Sequence, residues 1–141
     1  MLAGSLFAGI AFSWARLGNV HAMAHPLGGF FNVPHGVANA MLLPVIVEYN
    51  AIADHDGKYE NIYRRIATVP KAEFSPEMLA DELRHLAVSI GIPKTLAEVG
   101  VQADKIPAMA ADAMKSGNIH CNPRVSTQAD VEQLYRKAMG E

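Results

Sequence analysis

Three of the chain's six histidines fall inside the run HAMAHPLGGFFNVPH: His21, His25 and His35. Imidazole is a ligand for iron, zinc, copper or nickel, so clustered histidines point first to a transition metal. His21 and His25 stand four apart. On one helix they share a face, a single turn from each other. His35 follows a glycine pair and an Asn32-Val33-Pro34 turn, which puts it in the first turn of the next helix. Two packed helices can then bring His21 and His35 together from different directions. A catalytic divalent site takes three or four protein ligands and an open position. Two or three histidines leave that shell short, and no acidic residue nearby completes it. Histidines spaced by four also serve structural roles, bonding backbone or solvent, so spacing alone leaves both readings open.

Other ligand-type clusters carry less. Asp54-His55-Asp56 sits beside Gly57 in a polar turn and reads as a solvated loop. His85 lies in a charged helix, at the surface or its boundary. His120-Cys121 are adjacent, and neighbouring residues chelate one ion poorly; they read as a loop before Asn122-Pro123. The methionines recur at helical core spacing and read as packing.

The elements that must position the histidines are helices. Leu2 to Ala15 is apolar nearly all round and reads as a buried helix, Trp14 included. It falls short of the about 20 residues that span a bilayer, and no positive charge precedes it as in a secretory signal. It begins without a cap or polar lead-in, which suggests an upstream segment removed. After a break at Leu17-Gly18-Asn19, Asn19 is expected to cap a second helix reaching about Phe31, weakened by Gly28-Gly29. A third helix is expected to open at Pro34 and to kink or divide at Pro44. Lys58 to Val69 is amphipathic, with Tyr59, Ile62, Tyr63 and Ile66 on one face. Ser75-Pro76-Glu77 starts a helix whose stripe is Leu79, Leu83, Leu86 and Ile90, ended by Gly91. Thr95 to Val99, Ala103 to Lys115 and Thr127 to Ala138 complete the set. No stretch alternates convincingly as a strand, and no repeat or low-complexity segment occurs. The expected architecture is all-α: one multi-helix bundle of about six to eight helices over residues 1–141.

Composition agrees with a globular chain. Half of the 141 residues are hydrophobic and 18% are charged, a balance that supports a core and argues against disorder. The net charge of −2 includes no clustered basic face, so nucleic acid is not an expected partner, and neither is a membrane. Cys121 is the only cysteine. It forms no internal disulfide, which suits a reducing, cytoplasmic setting.

The run GNVHAMAHPLGGFFNVPHGVANAMLLP, Gly18 to Pro44, resembles the signature of the iron-containing (group III) alcohol dehydrogenases, whose types include lactaldehyde reductase, 1,3-propanediol dehydrogenase and butanol dehydrogenase. It joins HAMAH, a glycine pair, PHG and an apolar helix in the family's order. The likeness continues more weakly through VEYNAIA, GIPKTLAEVGV and the Asn122-Pro123-Arg124 run. It implies the helical C-terminal domain of the dehydroquinate synthase-like fold. It also implies that His21 and His35 are two ligands of a divalent metal, iron with zinc as the alternative. His25 would be a non-ligand neighbour between metal and nicotinamide, implicated in proton transfer. The family's remaining ligands, an aspartate and a histidine four residues later, have no match here, nor does the upstream glycine-rich NAD- or NADP-binding domain.

The family's chemistry interconverts small alcohols or diols with aldehydes or ketones, the metal polarising the alcohol oxygen and the nicotinamide exchanging the hydride. With those parts missing, the chain is expected to be inactive by itself. A homodimer is the expected assembly. Because ligating imidazoles must be neutral, metal occupancy is expected to fall below about pH 6.5. The segment Phe12 to Leu17 departs from the family, which usually has small residues and a glycine where Trp14 and Arg16 stand. The competing reading is a non-catalytic helical remnant that self-associates through its apolar first helix. A hydrolase using the three histidines is a weaker third, for want of an acidic ligand and a general base.

Overall fold

The computed structural model describes residues 1–67, 71 and 73–141. It contains helices α1 (Leu2–Ala15), α2 (Gly18–Phe31), α3 (His35–Ala51), α4 (Lys58–Ile66), α5 (Pro76–Ser89), α6 (Ile106–Ala113) and α7 (Gln128–Met139). Short 3-10 turns occupy Leu96–Val99, Ala103–Lys105 and Ile119–Cys121. No strand occurs among the described residues, so the all-α expectation holds. Val69, the expected end of the fourth helix, lies outside the described residues.

Helix α3 is the spine. It packs on α2 along one side, on α5 along another, and on α7; α6 closes the assembly against α2 and α7, and α4 lies on α5. The core is built where these faces meet, from Ala22, Met23 and Leu27 of α2, Ala38, Leu42 and Ile46 of α3, Met109 and Ala110 of α6, and Val131 and Tyr135 of α7. Small residues at Ala22, Ala38 and Ala110 let the helix backbones approach, and larger neighbours fill the space between. Pro44 does not divide α3, which runs unbroken across it, as α2 runs across Pro26. A proline inside a helix costs about 3 kcal/mol. Both prolines are buried among packed helices, whose contacts offset that loss.

The helix ends follow local chemistry. Asn32 adopts the left-handed conformation (φ 54°) and closes α2 through its N–H to Gly28 O. Pro34 is the extended residue just before α3, one position earlier than the expected use of proline inside the first turn. Gly91 (φ 82°) follows α5 as expected. Thr127 caps α7 in a reciprocal capping box with Asp130.

Two expectations of burial fail, those for α1 and for the stripe of α5, and the shared apolar face of α4 proves mostly open. Helix α1 forms, but none of its residues is buried, and Trp14 is 88% exposed. Its apolar residues lie on all sides, so it has no single face to dock, while the other helices already cover one another. In α5, Leu79 is buried and Leu83 half-buried, but Leu86 and Ile90 are exposed; only the N-terminal part of the stripe meets the core. In α4, Tyr63 alone is buried, and Ile62 and Ile66 face solvent.

Candidate metal centre

The reversal between α2 and α3 builds the site. Asn32 ends α2, and the N–H of buried Val33 turns back to Leu27 O at 3.3 Å. Pro34 then launches α3 with His35 as its first residue. His35 comes to lie against both α2 histidines. Its ring centroid is 5.2 Å from that of His21, tilted by 56°, and 5.7 Å from that of His25, nearly parallel at 22°. All three residues singled out by their spacing are therefore brought together. His21 is half-buried, whereas His25 and His35 are exposed, so the cluster opens outward.

A fourth residue, missed in the sequence, sits at its centre. Asn39 stands one turn beyond His35, and its Nδ2 lies 3.0 Å from His35 Nε2 and 3.3 Å from His21 Nε2. The Nε2 atoms of the two rings thus face one common point. Burial, and then the neighbouring His35 and His25, hold the His21 pKa below the ordinary imidazole value. A neutral ring is the form a metal requires.

The chemistry of this donor set is partial. Two imidazole nitrogens converge and a third ring stacks beside them, an arrangement suited to a borderline transition metal. Among the described residues no group of three or more His, Cys, Asp or Glu could hold a metal ion. Asn39 Oδ1 is buried with no hydrogen-bond partner, which marks the pocket as short of one polar neighbour. His21 and His35 fit two positions of a metal shell, and among the described residues no carboxylate joins them.

The scaffold beneath the site is a polar network spread across the chain. Asn19 was expected to cap α2. Instead it lies in the first turn and is 1% exposed. Its backbone N–H donates to Asn122 Oδ1 (3.2 Å) and its side chain to Ser126 Oγ (2.7 Å). Asn122 in turn exchanges two hydrogen bonds with Asn50 at the end of α3, at 2.7 and 3.1 Å, and donates to Arg124 O at 2.7 Å. Gly18 (φ +61°) is needed here, since a Cβ would lie 3.0 Å from Asn122 Oδ1. Arg124 stacks over Tyr49, 3.9 Å from the ring centre, and donates to Tyr49 O. The Tyr135 hydroxyl donates to Met23 O at 2.6 Å. These contacts fix the starts and ends of the helices that carry His21 and His35. The sequence signal was present in Asn122-Pro123-Arg124, but its partners lie 72 and 103 residues away.

The remaining candidates stay apart from the centre. Asp54 organises its own loop, accepting from the N–H groups of Asp56 and Tyr59, and His55 and Asp56 are exposed as expected. His85, His120 and Cys121 are exposed too.

A helical bundle with paired imidazoles at the α2–α3 reversal defines the class, and comparison with known proteins agrees. Residues 1–139 match the model of the Fe-containing alcohol dehydrogenase family, C-terminal. The chain belongs to that family and corresponds to its C-terminal part. It is 43% identical to lactaldehyde reductase of Escherichia coli, over 98% of this chain and 37% of the relative. It is 41% identical to 1,3-propanediol dehydrogenase of Citrobacter freundii, over 98% of this chain and 36% of the relative. The chain therefore spans a little over a third of these relatives' length. Among solved structures, a 1,3-propanediol oxidoreductase superposes with a TM-score of 0.84 at 40% identity, covering 95% of this chain and 36% of that one. An alcohol dehydrogenase from Oenococcus oeni gives 0.82 at 38% identity.

Proposed function

We propose that this chain is the metal-binding helical part of a metal-dependent, NAD- or NADP-linked alcohol dehydrogenase that interconverts small alcohols or diols with aldehydes or ketones. The observation that carries the reading is the convergence of His21 Nε2 and His35 Nε2 on one point. These two nitrogens would hold iron, or zinc, with further ligands supplied from outside the chain. The bound ion supplies Lewis acidity toward an alcohol oxygen. His25 stacks on His35 at the open side of the cluster. From there its imidazole can exchange a proton between the reacting oxygen and solvent, and it would border the nicotinamide. Half-burial of His21 shields one side of the site from water, while the exposed His25 and His35 face the side from which substrate and nicotinamide would enter. The same reading makes the working protein a cytoplasmic homodimer and leaves this chain alone inactive as a dehydrogenase.

The test is metal binding, measured by titration calorimetry with zinc and by metal analysis after iron loading. One equivalent is expected, with affinity reduced at least tenfold, about 1.4 kcal/mol, in His21→Ala and in His35→Ala. His25→Ala should change it little. A well-folded chain that takes up no metal would favour a non-catalytic, self-associating module, for which the uncovered apolar surface of α1 speaks. Turnover of a small alcohol with NAD by the 141-residue chain at an ordinary enzyme rate would contradict the claim of inactivity.

A further inference from the structure

Asn39 presents one amide nitrogen to two rings, at 3.0 Å from His35 Nε2 and 3.3 Å from His21 Nε2. That nitrogen carries two hydrogens and accepts nothing. An imidazole nitrogen accepts only when it bears no proton. Both contacts therefore require a bare Nε2, and so a protonated Nδ1, on each neutral ring.

The opposite orientation of the amide would turn Oδ1 toward the rings and require Nε2–H on both. The two arrangements differ in what they leave unpaired. With Nδ2 inward, both donor hydrogens are used and only Oδ1 is buried without a partner. With Oδ1 inward, the amide NH2 would be left in that buried place with two unused hydrogens. An under-used carbonyl oxygen is tolerated more readily in protein interiors than an orphaned N–H. The inward Nδ2 is thus the arrangement of lower cost.

We propose that Asn39 is a positioning residue that donates one hydrogen to each imidazole, holding His21 and His35 in the Nδ1–H tautomer with both Nε2 lone pairs turned to one shared point. Ligand histidines usually have their tautomer set by a partner on the nitrogen that does not bind metal. Here the hold is applied at Nε2 itself, so the amide is a placeholder that an arriving cation displaces. This inference deepens the metal reading and rests on it only for that consequence. The tautomers belong to the metal-free chain and can be read without metal.

The experiment is long-range proton–nitrogen correlation NMR on the full 141-residue chain with 15N-labelled histidine. A chelator is present, and the pH is about 8, above the ordinary imidazole value near 6.5. In the unmodified chain His21 and His35 should both show protonated Nδ1 and bare Nε2. His55, His85 and His120, which Asn39 does not touch, serve as internal references. Asn39→Asp keeps the shape but only accepts, so both rings should change to Nε2–H. Asn39→Leu removes the donor, and both should lose the fixed pattern and resemble the reference histidines. Circular dichroism checks that each variant is folded. Nε2–H on either ring of the unmodified chain overturns the proposal, as does an Asn39→Asp chain that keeps the original pattern. If a variant fails to fold, the unmodified spectrum still decides. If the tautomers are as expected but zinc does not bind, the metal reading fails and the role of Asn39 stands.

Discussion

Replacing Asn122 with alanine should destabilise the chain far more than its place in an irregular loop suggests. Its side chain makes four hydrogen bonds: to the Asn19 N–H, to both ends of the Asn50 amide, and to Arg124 O. Arg124 O also accepts from Ser126 Oγ, so it is not abandoned. The Asn19 N–H and the Asn50 amide, 1% and 6% exposed as residues, would lose partners that water cannot readily replace. At about 1–3 kcal/mol for each of these two buried groups, the total is roughly 2–6 kcal/mol. That is a large share of the about 5–15 kcal/mol that holds a typical domain together.

The assay is urea unfolding followed by helical circular dichroism. Asn50→Leu and the double variant Asn50→Leu/Asn122→Ala are measured beside Asn122→Ala. In the double variant the Asn50 amide is gone, so the cost should fall short of the sum of the singles by about 1.5 kcal/mol or more. A single-variant cost under about 1 kcal/mol with an unchanged denaturant slope would refute the reasoning. Strict additivity in the double variant would refute the claim that unpaired amide groups carry the loss.

Gly18→Ala should cost about 1–2 kcal/mol, because a side chain disfavours positive φ and its Cβ would lie 3.0 Å from Asn122 Oδ1; chemical denaturation measures it, and a neutral result would mean the close approach relaxes freely. Thr127→Ala should cost about 1 kcal/mol by loss of the α7 cap. The side-chain hydrogen bond from Thr127, and then its backbone N–H, hold the Asp130 pKa below its ordinary 3.8. A depressed carboxylate stabilises the fold above the unfolded value and loses that contribution as pH falls through the folded one. Stability measured from pH 6 downward should therefore show an acid-linked loss below about pH 4 that is smaller in Thr127→Ala. Trp14, the only tryptophan, should fluoresce like indole in water when the chain is dilute; a blue-shifted maximum under those conditions would show that α1 is covered.

Much of the fold was legible because helices are local objects. The three-and-four spacing, the Ser75-Pro76 start, the Thr127 cap and Gly91 placed elements to within a few residues. Burial was less legible, since it depends on neighbours. The stripe of α5 reads as apolar through Ile90, yet only its first half reaches the core, and α1 reads as interior although no face of it is covered. Of the site, His21, His25 and His35 were legible from type and spacing. Asn39 was not: it lies inside the Gly18–Pro44 run, but neither its type nor its spacing gives it a role until the ring of another helix is known to lie beside it.

The sequence by itself thus determined that the chain is helical, that three imidazoles sit at one helix reversal, and which family it resembles. Each of these follows from residue type and short-range order along the chain. The tertiary structure alone decided that two Nε2 atoms meet at the Asn39 amide, that Asn19 is a buried anchor rather than a cap, and that Asn50 and Asn122 pair across 72 residues. Those contacts depend on the angle and distance at which helices pack, and that geometry is set by the whole core rather than by any local run of residues.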